Sequence, residues 1–236
     1  MKKEICIHHH LGLGDHFDMN GMIRNYLKDY SKVHVFSKTN YFGMIDYMYR
    51  DEDNIVVTEI EGGPNEVSQA EKYYKNSSCD EFLRIGFEHY PFHQEHLYDK
   101  NCWEFFYEQV DCPYSVRDEM FHVERDEEGE AALMEKLNPN REEFIFVHDD
   151  KSRGFEVNRE HFKNKDLLVV ENDVNENIFH FTKILEEAAE VHCMESSFKT
   201  LIDIYCKQEN LFYHDFRNQP LGNRGNKNWK VIKYEQ

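Results

Sequence analysis

The feature that most constrains this chain is an alternation. Short runs rich in β-branched and aromatic residues take turns with longer runs of helical spacing, through most of its 236 residues. "EICIHHH" (4–10), "KVHVFSK" (32–38), "NIVVTEI" (54–60) and "CDEFLRIGF" (79–87) read as strands. Between them lie a helix after Asp15, "NYFGMIDYMYR" (40–50) and "NEVSQAEKYYKN" (65–76). In the first of these, Met19, Met22, Ile23, Tyr26, Leu27 and Tyr30 recur at helical spacing and predict one buried stripe. Strands separated by helices cannot pair as tight hairpins, so the order predicts an α/β fold with a parallel sheet.

A second alternating series follows. "EFIFVHDD" (143–150), "LLVVEN" (167–172), "VHCME" (191–195) and "LFYHDF" (211–216) read as strands. "NIFHFTKILEEAAE" (177–190) and "SSFKTLIDIYCKQEN" (196–210) read as helices, the former with Ile178, Phe181, Leu185 and Ala188 on one side. Between the series, "QEHLYDKNCWEFFYEQV" (94–110) is aromatic and helical, and "DEEGEAALMEKLN" (126–138) is an acidic helix that Pro139 should stop. The domain boundary is therefore expected near Asn138–Arg141, giving domains 1–139 and 140–236. Two sheets with a cleft between them are expected, with one continuous sheet as the competing layout.

Charge excludes some partners. The net charge of −18 should repel nucleic acid and anionic membrane. No stretch has the length and apolarity of a membrane span, and "MKKEICIHHH" lacks a signal-peptide core. A soluble, cytoplasmic protein is expected. The six cysteines form no CxxC pair and several sit in apolar runs, which favours reduced thiols over disulfides or zinc ligands. The tail after Phe216 carries Arg217, Arg224, Lys227, Lys230 and Lys233 against the single acid Glu235. It is expected to dock on the acidic body, with an anionic ligand as the other option.

The loop "HHHLGLGDHF" (8–17) holds the first candidate site. His8 and His10 point to one face of the strand and His9 to the other, and two of them could join His16 or Asp15 around a metal, but no HExxH-type spacing supports it, and no metal is expected. Gly12 and Gly14 at a strand-to-helix turn suggest a dinucleotide cradle, yet Phe17 occupies the place of the third glycine. A P-loop needs a Gly-Lys-Ser/Thr that is absent from the turn. What remains is a tight turn that admits a ligand, with Asp15 starting the helix. An aspartate there is an ordinary N-cap, or a carboxylate able to take a proton from an attacking hydroxyl.

The second half offers complementary groups. In "VHCMESSFKTLID" (191–203), Ser196 or Ser197 begins a helix whose free N–H groups can seat a phosphate, although serine caps are common without ligands. Arg153 in "VHDDKSRGF" can clamp a diphosphate or pair with Asp149 or Asp150. Glu171 and Asn172, closing "LLVVEN", can hydrogen-bond a ribose or a base. All lie at the carboxyl ends of predicted strands, the rim where open α/β sheets bind ligands.

"HHLGLGDHFDMNGMIRNYL" resembles the N-terminal motif of heptosyltransferase-type glycosyltransferases of the GT-B fold, a Gly-x-Gly-Asp turn entering a helix. "VHCMESSFKTLID" resembles that family's C-terminal Val-Asp-Thr-Gly-Leu-x-His-Leu element, with Glu195, Ser196 and Ser197 in the places of Asp, Thr and Gly. Thr200 stands where the family has a histidine. Fucosyltransferase-like enzymes, more distant, share a Ser-Ser element and a donor-binding arginine, a place Arg153 can fill. The resemblance implies two Rossmann-like domains facing a cleft, the second compact. It implies Asp15 as the base, with Gly12, Gly14, His10 and His16 around the acceptor. Arg153, Glu171, Asn172, Glu195, Ser196 and Ser197 would bind the donor. It implies an inverting, metal-independent transfer from a nucleotide-diphosphate sugar to a glycan or other hydroxyl acceptor, with no further cofactor. The alternative is a non-catalytic nucleotide- or sugar-binding protein of the same fold.

Overall fold

The structure, a computed structural model, describes residues 2–86, 102–216 and 227–234. The chain forms two compact units, residues 1–124 and 125–236. The division falls ahead of the acidic helix instead of after it, so the expected boundary near Asn138–Arg141 marks that helix's end. Each unit has its own parallel sheet, which excludes the single continuous sheet.

In the first unit, β1 (Glu4–His8), β2 (Lys32–Lys38), β3 (Ile55–Ile60) and β4 (Glu81–Arg84) are arranged in the order β3-β2-β1-β4. Helices α1 (Leu13–Tyr26), α2 (Phe42–Met48) and α3 (Glu66–Asn76) connect them. Because β2 and β4 flank β1 on opposite sides, the β1–α1 loop stands at the switch point of the sheet. Crevices open there, since successive connections leave in opposite directions. Helices α4 (Cys102–Glu108) and α5 (Val116–Glu119) complete the unit. Of the expected aromatic helix, residues 94–101 lie outside the described residues and α4 is the remainder.

Helix α1 departs from the one-stripe expectation. His16 through Arg24 are all buried, polar residues included. A helix wrapped on all sides must satisfy its polar groups internally. Asp18 receives the Arg117 Nε–H at 2.8 Å, and both side chains are almost wholly buried. Asn20 Oδ1 accepts from the His122 backbone N–H at 3.0 Å. Arg24 grips both oxygens of Asp51 at 2.9 and 2.7 Å. Gly21 lets α5 approach, since a Cβ there would lie 2.4 Å from the Val116 carbonyl oxygen.

In the second unit, β5 (Phe144–Val147), β6 (Leu168–Glu171), β7 (Glu190–Cys193), β8 (Leu211–Asp215) and β9 (Lys230–Lys233) follow the order β6-β5-β7-β8-β9. The switch point lies between β5 and β7. Helix α6 (Glu127–Leu137) is capped by Asp126, whose Oδ1 accepts from the Gly129 N–H at 2.9 Å. The helix expected over 177–190 is a 3-10 turn (Ile178–Phe181) followed by the short α7 (Thr182–Glu187). Helix α8 (Ser197–Ile204) links β7 to β8.

Strand β9 had no counterpart in the sequence reading. It pairs with β8 from Phe212↔Lys230 to Asp215↔Lys233, so part of the basic tail docks as an edge strand. Ahead of it, Trp229 Nε1 donates to Asp203 Oδ1 at 2.7 Å, while Lys199 Nζ donates to Asp203 Oδ2 at 2.7 Å. The tail thus braces a buried ion pair on α8. Arg217 and Arg224 lie outside the described residues.

Candidate functional site

At the switch point of the first sheet, the cap of α1 is Gly12 and not Asp15. The His16 N–H bonds to the Gly12 carbonyl at 3.1 Å, which places Gly14 and Asp15 within the first helical turn. A carboxylate there lies in the favourable field of the helix N-terminus. Asp15 is partly exposed, and Trp103 Nε1 donates to its Oδ1 at 3.0 Å. Its Oδ2 lies over Gly12, where a Cβ would approach within 2.5 Å. A side chain at position 12 would push this carboxylate aside, although the backbone there is ordinary, with φ −75°.

The neighbouring histidines build the floor. His10 Nε2–H donates to the Gly86 carbonyl at 3.0 Å, tying the β1 loop to the end of β4. The His10 ring also meets Phe106 edge-on at 5.0 Å. Gly86 has φ +85°, and a Cβ there would strike the Phe106 ring at 2.7 Å. His9 Nδ1–H donates to the His10 carbonyl at 2.6 Å, and its ring meets that of His16 at 4.7 Å. His9 and His16 are buried, and burial pushes both imidazoles down, His9 to about 3. His16 therefore underlies the loop as a neutral packing residue.

In the second unit, Ser196 is the cap of α8. Its Oγ accepts from the Lys199 N–H at 3.4 Å, and Ser197 is the first helical residue. Glu195, Ser196 and Ser197 are each partly exposed at the end of β7. Thr200 is buried, its hydroxyl donating to the Ser196 carbonyl at 3.4 Å. A small recess beside them is lined by Phe155, Met194, Glu195, Tyr213, His214 and Phe216.

The β5 loop meets the same recess through Phe155. Arg153 pairs with Asp150 and stands 5.6 Å above the Phe155 ring. The duller of the two readings for this arginine is thus the one the geometry realises. Glu171 and Asn172 stand apart, at the end of β6 on the far side of β5. Glu171 accepts from Lys151 at 3.0 Å and Arg159 at 2.7 Å. The Lys151 hydrogen bond, offset in part by burial, holds the Glu171 carboxyl below its usual range. Asn172 Oδ1 accepts from the Asp149 N–H at 3.2 Å, stitching β5 to β6.

A relay whose members are scattered in sequence, and which no motif signals, also reaches the recess. His192 Nε2 lies 3.2 Å from Glu190, His192 Nδ1 lies 2.9 Å from His214 Nε2, and His214 Nδ1 lies 2.7 Å from the Tyr234 hydroxyl. Glu190 lies two residues before His192 on β7, whereas His214 and Tyr234 each sit one strand over and two residues on from the partner before, following the register His192↔Phe212 and His214↔Ile232. With Glu190 ionised and both imidazoles neutral, the directions are fixed: His192 Nε2–H to Glu190, His214 Nε2–H to His192 Nδ1, and Tyr234 O–H to His214 Nδ1. The neutral imidazoles are in keeping with burial, which pushes His192 to about 4 and His214 to about 3.

No family model matches the sequence, and no curated protein matches it. Among solved structures, the chain is similar to a glycosyl transferase family 9 protein from Veillonella parvula DSM 2008, with a TM-score of 0.59 and 11% identity. The match covers 98% of this chain and 86% of that one. At this identity the likeness is one of fold. Among the described residues no helix is long and apolar enough to cross a membrane.

Proposed function

We propose that the chain is a glycosyltransferase that moves a sugar from a nucleotide-diphosphate donor to an acceptor hydroxyl. The observation that carries this reading is the Asp15 carboxylate, held by Trp103 over Gly12 at a sheet switch point, in a chain with the fold of a glycosyl transferase family 9 structure. Asp15 takes the acceptor's proton as its oxygen attacks the anomeric carbon. The bond from that carbon to the diphosphate breaks, the electron pair leaves with the diphosphate, and the sugar is inverted. Ser196, Ser197 and the N–H groups opening α8 receive the diphosphate, with Glu195 beside it. Arg153 contributes after exchanging Asp150 for phosphate. Fixed N–H donors supply the charge stabilisation, so no metal is required for transfer. Gly12, Gly14 and His10 shape the acceptor side.

One observation favours the second reading, a nucleotide- or sugar-binding protein without chemistry: Thr200, where the resembling family has a histidine, is buried and its hydroxyl is bonded to the Ser196 carbonyl. Release of nucleoside diphosphate from a panel of nucleotide sugars separates the two. Asp15→Asn should lower transfer at least about 100-fold while retaining donor affinity. Wild-type turnover by that variant would refute the assignment of the base.

A further inference from the structure

Four side chains with metal-ligating atoms converge at the amino-terminal side of the first sheet, remote along the strands from the Gly12–Asp15 loop. Glu4 and Cys6 alternate on β1 and so share a face, and Cys6 is in register with His34 of β2. Cys79 precedes β4, which flanks β1 on its other side. One ligand atom each from Glu4, His34 and Cys79 lies within 4.8 Å of the others. The Cys6 thiol donates to Cys79 Sγ at 2.9 Å, bringing a second sulfur to the group.

The surroundings are organised as a ligand site needs. His34 Nε2–H donates to Glu4 Oε2 at 3.3 Å, and His34 Nδ1 accepts from the Tyr73 hydroxyl of α3 at 2.9 Å. Ser78 Oγ donates to Glu4 Oε2 at 2.9 Å, which orients the carboxylate. Ser77 Oγ lies 3.9 Å from Cys6 Sγ. The ring of His34 is buried between Glu4 and Tyr73, and in its neutral form an imidazole nitrogen can serve as a ligand to a metal.

We propose that Glu4, Cys6, His34 and Cys79 bind a thiophilic divalent cation, Zn²⁺ by its ligand chemistry. Two sulfurs, one imidazole and one carboxylate make a tetrahedral set suited to zinc and ill suited to calcium or magnesium. Two thiolates on one zinc stand about 3.7 Å apart, so Cys6 and Cys79 need to part by less than an ångström. On binding, both thiol protons leave, and His34 moves its proton from Nε2 to Nδ1. The Nδ1–H then donates to the Tyr73 oxygen, as metal-bound histidines commonly do to a second group. The ion would clamp β1, β2 and the approach to β4. The spacing of the four residues gave no motif because they come from three separate segments.

The test uses the full chain, reduced and stripped of metal, titrated with Co²⁺. One equivalent should produce thiolate-to-cobalt charge-transfer absorption and intense tetrahedral bands, and Zn²⁺ should displace it. Zn²⁺ should also protect Cys79 in the wild-type chain from alkylation, while Cys112, which is outside the cluster, stays reactive. Cys79→Ser should abolish the charge-transfer band or cut Co²⁺ affinity at least 100-fold, and His34→Gln should weaken binding at least tenfold. Absence of a charge-transfer band at one equivalent, its survival undiminished in Cys79→Ser, or failure of Zn²⁺ to protect Cys79 would overturn the proposal. Isolation of the chain with a Cys6–Cys79 disulfide that excludes metal would do the same.

Discussion

Trp103 and Asp15 meet across 88 residues of chain, the indole N–H donating to the carboxylate at 3.0 Å. The contact fixes the rotamer of an acid that would otherwise swing over a glycine turn. A hydrogen bond to a charged group contributes about 1.5–3 kcal/mol. Trp103→Phe keeps most of the packing and removes the donor. Its kcat should fall about tenfold with donor KM unchanged, measured by nucleoside diphosphate release.

Gly12 and Gly86 separate function from folding. Gly12→Ala is conformationally permitted but places a methyl against Asp15, so unfolding midpoints should hold while turnover falls. Gly86→Ala meets a positive φ and the Phe106 ring together. It should cost at least about 1–3 kcal/mol in urea unfolding. Equal loss of stability in both variants would count against this division.

The buried Asp18–Arg117 pair predicts a large, one-sided penalty. Asp18→Ala leaves the buried Arg117 guanidinium with Asp118 as its remaining carboxylate partner and should cost about 3 kcal/mol, the low end for a broken buried pair. Replacing both partners with apolar residues of similar volume should recover much of that loss. Chemical unfolding of the single and double variants checks it.

Acid should unfold the protein early. His8 and His192 are pushed to about 4, and His9 and His214 to about 3, each chiefly by burial. An imidazole whose folded pKa lies below its unfolded value of about 6.5 takes up its proton first in the unfolded chain. Stability is therefore full above that pH and falls as pH drops from 6.5 toward 4, by up to about 1.4 kcal/mol per pH unit for each such group. Neither nitrogen of His16 has a hydrogen-bond partner among the described residues. His16→Leu should raise the melting temperature more at pH 5 than at pH 8.

Much of the scaffold was readable from the chain. The eight strands β1 to β8 were all visible, because runs of β-branched and aromatic residues such as IVVTEI, FIFV and LFYHD break up the polar sequence. The Ser196 cap was visible because the chemistry that makes it is local, whereas α1 begins at Leu13, ahead of the start at Asp15 that a capping aspartate suggests. Strand β9 was not, because "KVIK" is mostly exposed and lies in a polar, basic tail, so that only its pairing with β8 marks it as a strand. Trp103, the relay from Glu190 to Tyr234 and the Glu4–Cys79 cluster were also hidden. Their members are distant in sequence, and only the register of the sheets brings them together.

Ser196→Ala should remove a cap and cost about 1 kcal/mol. If the start of α8 seats a diphosphate, the same variant should weaken nucleoside diphosphate binding beyond what that destabilisation explains, as read by calorimetry.

The docking of β9 has a consequence for biogenesis. Its partner β8 keeps an open edge until residue 233 has cleared the ribosome, whereas every strand of the first sheet has emerged by residue 84. The amino-terminal half can settle during translation, while the other half waits with an exposed parallel edge, the kind of surface that recruits chaperones or seeds aggregates.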